Sequence, residues 1–306
     1  MTRRLEGDGY TGVIVRSRSE LDLTNGPAVS AFFREFEPEY VFLAAAKVGG
    51  IRANLEHPAE FIQTNLAIQD SVIHSAHATG VKRLIFFGSN CAYPKECAQP
   101  MAEEVLTTGP LEPSSEPYAM AKLAGMKMCQ SYNQQYGDRF ISVIPATVYG
   151  PNDNFDPNSA HVLSALMARF QKAKQENLGE AVVWGTGTPR REFIHADDLA
   201  DACMHLMTME EEPLRAVAEG SRWVLNAGSG ADQSILELAA QIKDAVGFQG
   251  ELVLDPTQPD GIPRRLLDSS RLQSTGWSSR TKLADGLEDT FRWYQESLLN
   301  PADRKA

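Results

Sequence analysis

The sequence predicts an α/β protein built on a doubly wound parallel sheet with helices on both faces. Short apolar segments alternate with segments of helical length through the first half of the 306-residue chain. The apolar segments are continuous, without the in-and-out alternation of strands that have one solvent-facing side. This pattern indicates strands buried on both faces, joined by right-handed crossovers through the helices.

The predicted elements follow one another along the chain. We predict strands at 13–15, 40–46, 84–87 and 141–144, and helices at 28–36, 59–79 and 118–136. Gly80 and Gly137 follow two of these helices, as is common where a helix ends. Ligands of parallel sheets bind beyond the carboxyl ends of the strands, so the residues after Ala46, Phe87 and Ile144 are the first candidates for a site.

A smaller second region is predicted from Gly150 onward, where Pro, Asn and Gly become frequent. This region contains a predicted strand at 182–184 and predicted helices at 162–174, 235–246 and 283–298. We therefore assign residues 1–150 and about 193–228 to a Rossmann-type domain. Residues 151–192 and 229–306 are assigned to a smaller α/β substrate-binding domain.

Composition excludes several classes of partner. The formal net charge of −11 argues against binding to nucleic acid or to an anionic membrane. No apolar run is long enough to span a bilayer, and no leader peptide is expected. The four cysteines lack metal-ligand spacing, Cys91 and Cys97 being too far apart for a C-x-x-C pair. We predict no metal site and a reducing, cytoplasmic location.

Tyr118 and Lys122 lie four residues apart, so they share one face of the predicted helix. An ammonium group near a phenol lowers the pKa of the phenol and makes it a usable acid and base. This spacing alone is common on solvated helices. Ser89 and Cys91, however, follow a buried strand at its carboxyl end, and Ser89 completes the Ser-Tyr-Lys set of short-chain dehydrogenases.

Three segments narrow this resemblance: L-A-A-A-K-V-G-G-I at 43–51, G-S-N-C-A-Y-P-K at 88–95 and E-P-Y-A-M-A-K at 116–122. Together they resemble the GDP-L-fucose synthases, a family of extended short-chain dehydrogenases. Segments 153–155, 159–162 and 184–195 are also similar to that family. The resemblance runs from about residue 2 to the helix near Trp293.

The resemblance implies an NADPH-dependent reaction on GDP-4-keto-6-deoxy-D-mannose, with epimerisation at C3 and C5 and reduction at C4. The ketone acidifies both neighbouring C–H bonds, so one base and one acid can invert each centre. Cys91 as a thiolate and His161 suit these two roles, in an order that the sequence leaves open. The alternative for Cys91 is that it is only a small buried residue. The alternative for His161 is that it only packs at the start of a helix. Tyr118 would protonate the C4 oxygen, with Ser89 bound to that oxygen and Lys122 tuning Tyr118.

Further contacts follow from the family pattern. Arg16 and Arg18, at the end of the predicted strand 13–15, would accommodate the 2′-phosphate of NADP, with surface arginines as the alternative. The resemblance also implies NADP(H) contacts by Asp22, Leu23, Phe87, Gly88, Ser89, Asn90, Tyr118, Lys122, Pro145, Ala146, Thr147, Val148 and His161. For the GDP-sugar it implies Arg169, Trp184, Arg191 and Asp260, and guanidinium groups match diphosphate geometry.

The sequence departs from the family at its beginning. Residues 2–6 look like the end of a helix, and the strand and G-x-x-G-x-x-G loop expected before it are missing. That strand is normally central, so its loss predicts unpaired backbone and weak phosphate binding. We expect a start methionine assigned too late. Smaller departures are Asn90, where the family usually has serine, and residues 145–148, which replace a P-T-N-L-like run.

Two alternatives remain open. The first is another nucleotide-sugar enzyme of the superfamily. A 4,6-dehydratase would carry an Asp-Glu pair where Asn90 and Cys91 stand, and a 4-epimerase needs no Cys91 and His161 pair. The second is an inactive, N-terminally truncated form or scaffold, which the missing glycine loop favours and the intact Ser-Tyr-Lys set opposes. The family also implies a homodimer through helices like those at 59–79 and 118–136.

Overall fold

The computed structural model describes residues 1–156, 159–258 and 260–299. The strands, in chain order, are β1 (Tyr40–Leu43), β2 (Arg83–Phe87), β3 (Phe140–Pro145), β4 (Thr147–Tyr149), β5 (Glu180–Trp184), β6 (Arg190–His195), β7 (Val224–Ala227), β8 (Asp232–Ser234), β9 (Glu251–Asp255) and β10 (Arg264–Arg265). The helices are α1 (Thr2–Gly7), α2 (Gly26–Phe36), α3 (Ile51–Glu56), α4 (Pro58–Ala78), α5 (Glu116–Tyr136), α6 (Val162–Gln175), α7 (Ala196–Thr208), α8 (Glu211–Ala218), α9 (Ile235–Val246), α10 (Ser270–Gln273) and α11 (Leu283–Leu299).

A four-stranded parallel sheet in the order β1-β2-β3-β7 forms the first layer. Burial is continuous along its central strands, as the sequence predicts: Ile85 and Phe86 are adjacent in β2, yet both are at most 1% exposed. Adjacent side chains of a strand point to opposite faces, so both faces must be covered. Helices α4 and α5 pack against each other and the sheet, and α7 packs on β2. The predicted parallel α/β fold is confirmed.

The predicted strand at 13–15 is wrong. These residues have no regular structure, and Val15 is 60% exposed. A strand needs a neighbour for its ladder of hydrogen bonds, and β1, with Tyr40 49% exposed, forms the edge of the sheet among the described residues. The β-branched run therefore has nothing with which to pair. The helix predicted to end near residue 6 is confirmed as α1. Arg3 of α1 forms an ion pair with Asp197 of α7, with 2.7 Å between the charged atoms.

The second half of the chain builds smaller sheets. β6 pairs in parallel with β4 and β10 and antiparallel with β8, while β5 and β9 form a separate parallel pair. Helices α6, α9 and α11 enclose a second apolar cluster around Phe170, Ile242 and Leu287. Helix α9 begins with a reciprocal capping box between Ser234 and Glu237, which satisfies two otherwise unpaired N–H groups.

Two clusters of buried apolar residues, one on each set of sheets, support a two-part organisation. The division after residue 150 and at about residue 193 stays a prediction. Residues 157, 158, 259 and 300–306 of the predicted substrate domain lie outside the described residues. None of the helices in the described ranges combines the length and apolar character needed to cross a bilayer.

Candidate active site

The turn after β2 carries Ser89 and Cys91. It begins at Gly88, whose N–H donates to the carbonyl of Val143 at 2.8 Å. A Cβ on Gly88 would lie 2.9 Å from the sulfur of Met126. The chain can therefore pack this closely against Met126 as it leaves the sheet only because residue 88 is glycine. Ser89 Oγ then accepts from the N–H of Cys91 at 3.2 Å and caps the 3₁₀ turn Asn90–Ala92. Ser89 and Cys91 therefore both lie at the carboxyl end of β2.

Helix α5 brings Tyr118 and Lys122 to the same place. Lys122 is buried and its Nζ donates to the carbonyl of Phe87, the last residue of β2, at 2.8 Å. The ammonium lies 5.9 Å from the centre of the Tyr118 ring, and the Tyr118 hydroxyl interacts with Ser89. The structure thus brings the predicted Ser-Tyr-Lys set together.

Burial dominates the electrostatics of these groups. Loss of hydration lowers the pKa of Lys122 to about 8. Burial raises the pKa of the Tyr118 phenol and outweighs the opposing effect of its hydrogen bond to Ser89. The net shift of the Tyr118 pKa is therefore upward, against the expected lowering, because burial outweighs the interactions that favour the phenolate. Tyr118 is a protonated phenol, ready to donate.

The two predicted proton-transfer residues lie in different surroundings. The Cys91 thiol donates a long hydrogen bond to Asn90 Oδ1, 3.8 Å away, and interacts electrostatically with Tyr118 and Arg191. His161 is exposed at the start of α6. Its imidazole makes no hydrogen bond to any part of the chain that the structure describes.

The predicted GDP-sugar residues form two pairs. The Arg169 guanidinium stacks 4.7 Å from the ring centre of Trp184, which is 54% exposed at the end of β5. Burial lowers the pKa of Arg191 to about 10, and the Asp260 carboxylate opposes that shift. Arg191 interacts with both Asp260 and Cys91, which links the second pair to the turn after β2.

The residues predicted for NADP(H) divide into two groups. Phe87, Gly88 and Asn90 surround the end of β2, while Pro145 ends the adjacent strand β3 and Ala146 leads into Thr147 and Val148 of β4. Phe87 of β2 is paired with Val143 of β3, so the ends of these two strands lie side by side. These residues therefore lie close together, and their contact with NADP(H) stays a prediction.

For the N-terminal group, the strand expected to position Arg16 and Arg18 is absent, and the predicted cofactor contacts stay a prediction. Arg16 and Arg18 do not end a strand, and the Arg16 guanidinium lies 5.2 Å from the ring centre of Phe36. The Asp22 carboxylate accepts from the N–H and hydroxyl of Thr24, which lowers the pKa of Asp22. The carbonyl of Leu23 accepts from the hydroxyl of Ser71 on α4.

Sequence reasoning missed several buried polar residues around the turn. Arg265 of β10 donates to the carbonyl of Asn90 at 2.9 Å, and the Tyr93 hydroxyl donates to Asn226 Oδ1 at 2.7 Å. Glu192 accepts from the N–H groups of Gly230 and Leu267. No spacing rule marks these residues, because their partners lie far away in the sequence.

The pKa of Lys122 makes stability depend on pH. An unfolded lysine has a pKa near 10.4, so between about pH 8 and pH 10 the unfolded chain binds more protons and stability rises with pH. Lys122→Met removes this dependence. We therefore expect the difference in the free energy of unfolding between wild type and variant to change by at most about 3 kcal/mol across that window, in favour of the wild type as the pH rises. Urea unfolding measures the difference.

Lys127→Met, an exposed substitution on the same helix, is the matched control and should follow the wild-type pH dependence. A difference between wild type and Lys122→Met that stays constant with pH would contradict the burial effect.

Comparisons with known proteins agree with this geometry. Residues 1–217 match the NAD dependent epimerase/dehydratase family. The chain is 52% identical to "Putative GDP-L-fucose synthase 2" of Arabidopsis thaliana, covering 98% of this chain and 88% of that protein. It is 47% identical to "GDP-L-fucose synthase" of Escherichia coli K12, covering 96% and 92%.

Two solved structures are similar across the chain. A GDP-6-OMe-4-keto-L-xylo-heptose reductase from Campylobacter jejuni superposes with a TM-score of 0.90 at 38% identity, covering 97% of this chain and 93% of that one. A GDP-L-fucose synthetase from Naegleria fowleri bound to NADP gives 0.86 at 25% identity, covering 98% and 90%. The chain belongs to the NAD dependent epimerase/dehydratase family and, within it, to the GDP-L-fucose synthases.

Proposed function

We propose that this protein converts GDP-4-keto-6-deoxy-D-mannose to GDP-L-fucose, by epimerisation at C3 and C5 and NADPH-dependent reduction at C4. The observation that carries the proposal is the gathering of Ser89, Cys91, Tyr118 and Lys122 at the carboxyl end of β2. Hydroxyl and thiol groups there can act on one ketone and on the carbons beside it. The protein is then both an oxidoreductase and an isomerase.

Reduction uses the hydroxyl pair. The C4 oxygen binds between Ser89 and Tyr118, whose hydroxyls interact with each other. Burial keeps the Tyr118 phenol protonated, so it can give its proton to the oxygen as C4 is reduced. When bound, NADPH would supply the hydride. Lys122 holds its charge next to Tyr118 and stabilises the phenolate that remains.

Epimerisation uses the same binding position. A base that removes the C3 or C5 proton leaves an enolate whose charge lies on the C4 oxygen, where Ser89 and Tyr118 donate hydrogen bonds. Cys91 lies two residues after Ser89 in the same turn, and we assign its thiol to proton transfer at the carbons beside C4. His161 supplies the second proton-transfer group from the start of α6. One group removes a proton and the other returns one to the opposite face.

The residues around the end of β2 suit the reactive end of NADP(H), because Lys122 and the Phe87–Asn90 turn present polar groups there. We assign the 2′-phosphate end to Arg16 and Arg18, with Asp22 and Leu23 towards the adenine. Both guanidinium groups are exposed to an anionic ligand.

For the GDP-sugar we assign four residues of the second half: Arg169, Trp184, Arg191 and Asp260. The two guanidinium groups suit the diphosphate, and the exposed ring of Trp184 offers a stacking surface beside Arg169. Arg191 also interacts with Cys91, so a diphosphate bound there would place the sugar near the turn after β2.

One observation favours a second function, a C4 reductase of another GDP-4-keto sugar. The Cys91 thiol donates to Asn90 Oδ1, an amide oxygen that cannot take its proton. A reductase without epimerisation needs no base at this position. The similarity to the Campylobacter jejuni heptose reductase adds to this candidate.

We also infer a homodimer in the cytoplasm. Large apolar side chains lie exposed on α4 and α5, with Leu66 37% and Met120 47% exposed, and a second copy would cover them. All four cysteines are free thiols, as a reducing compartment keeps them. Light scattering after size exclusion should give twice the chain mass; a monomer mass would contradict the dimer.

Tyr118→Phe tests the proposed reduction. Removing the phenolic proton should slow NADPH oxidation by GDP-4-keto-6-deoxy-D-mannose about 10²- to 10⁴-fold, because a positioned general acid contributes about that much. Tyr136→Phe is the matched control, since Tyr136 lies on the same helix and is 54% exposed. Stopped-flow NADPH absorbance measures both rates. Equal rates in the two variants would contradict the role of Tyr118.

A further inference from the structure

Arg265 reaches from the second half of the chain to the turn that carries Cys91. It lies on β10 in register with Arg191 of β6, and only 8% of it is exposed. Its Nη1 donates to the carbonyl of Asn90 at 2.9 Å, and this nitrogen lies 3.6 Å from the sulfur of Met101. The guanidinium therefore fixes the backbone immediately before Cys91.

No carboxylate forms an ion pair with Arg265 in the ranges that the structure describes. A buried charge is normally paired, because removing it from water is costly. The groups that face Arg265 are the thiols of Cys91 and Cys97, the carboxylate of Glu112 and the hydroxyl of Tyr93, together with the like charge of Arg191. Among these groups, the Cys91 thiol makes the largest contribution that favours the charged form of the Arg265 guanidinium.

The turn is held independently at its other end. The Tyr93 hydroxyl donates to Asn226 Oδ1, and Asn226 Nδ2 donates to the carbonyls of Met101 and Asp268 at 2.9 and 3.0 Å. These bonds fix the chain after Cys91 without placing a charge near the sulfur. Arg265 adds the charge as well as the bond.

We propose that Arg265 is a positioning residue for the thiol of Cys91: it holds the Asn90 carbonyl and stabilises the thiolate with its unpaired positive charge. Arg191 and the Tyr118 hydroxyl also interact with this thiol. The inference rests on the proposed function, in which Cys91 exchanges protons with the carbons beside C4. It assigns Arg265 to epimerisation rather than to hydride transfer.

Alkylation by iodoacetamide tests the proposal without substrate, because the thiolate is the reactive form. At one pH near neutrality, Arg265→Met should slow alkylation of Cys91 about three- to tenfold, as the thiolate loses a neighbouring positive charge. Peptide mass spectrometry follows Cys91 separately from Cys97. Arg265→Lys keeps the charge and should restore most of the rate.

Arg264→Met is the matched control. Arg264 is the preceding residue on β10, but it is exposed and forms an ion pair with Asp232. Alkylation in this variant should match the wild type. An unchanged rate in Arg265→Met, or an equal fall in Arg264→Met, would overturn the proposal. If Arg265→Met does not fold, Arg265→Gln removes the charge with a smaller change in polarity.

A second readout uses deuterium uptake by the substrate from D₂O without NADPH. Arg265→Met should lower the rate of uptake at saturating substrate, and Arg265→Lys should recover it, whereas a merely structural loss would not be rescued by charge. Lack of uptake by the wild-type protein would refute the proposed epimerisation. The alkylation rates would still decide the role of Arg265, so the two failures are distinguishable.

Discussion

The bond from the Lys122 ammonium to the carbonyl of Phe87 determines the arrangement of the candidate site. A parallel sheet leaves the last carbonyls of its strands without partners, and a buried carbonyl must be satisfied. Lys122 meets that need at the end of β2 and thereby fixes α5 against the strand. Tyr118, one turn earlier on the helix, is then placed at the hydroxyl of Ser89.

The site lies where the two halves of the chain meet. The first half supplies the strand ends and α5, while β6 and β10 of the second half present Arg191 and Arg265 to the turn around Cys91. Burial removes water from these groups, which strengthens each charge interaction and makes each unpaired charge costly. The turn around Cys91 therefore has neutral hydroxyl donors for the ketone oxygen and, near the Cys91 sulfur, the positive charges of Arg191 and Arg265.

Much of this arrangement follows from local sequence. Continuous apolar runs predict the buried strands, glycines predict the helix ends, and the Tyr118 and Lys122 spacing with Ser89 predicts their meeting at one strand end. The strand at 13–15 fails because β propensity cannot form a ladder without a neighbour. Contacts such as Arg265 with Asn90 join residues 175 positions apart, and no periodicity encodes them.

The central claim is that proton transfer and reduction act on one ketone held at the end of β2. Wild-type turnover of GDP-4-keto-6-deoxy-D-mannose with NADPH in D₂O, followed by NMR of the product, tests it most directly. The account predicts GDP-L-fucose with deuterium at both C3 and C5 and protium from NADPH at C4. A reduced product of unchanged configuration, without deuterium at C3 and C5, would contradict it and identify a simple C4 reductase.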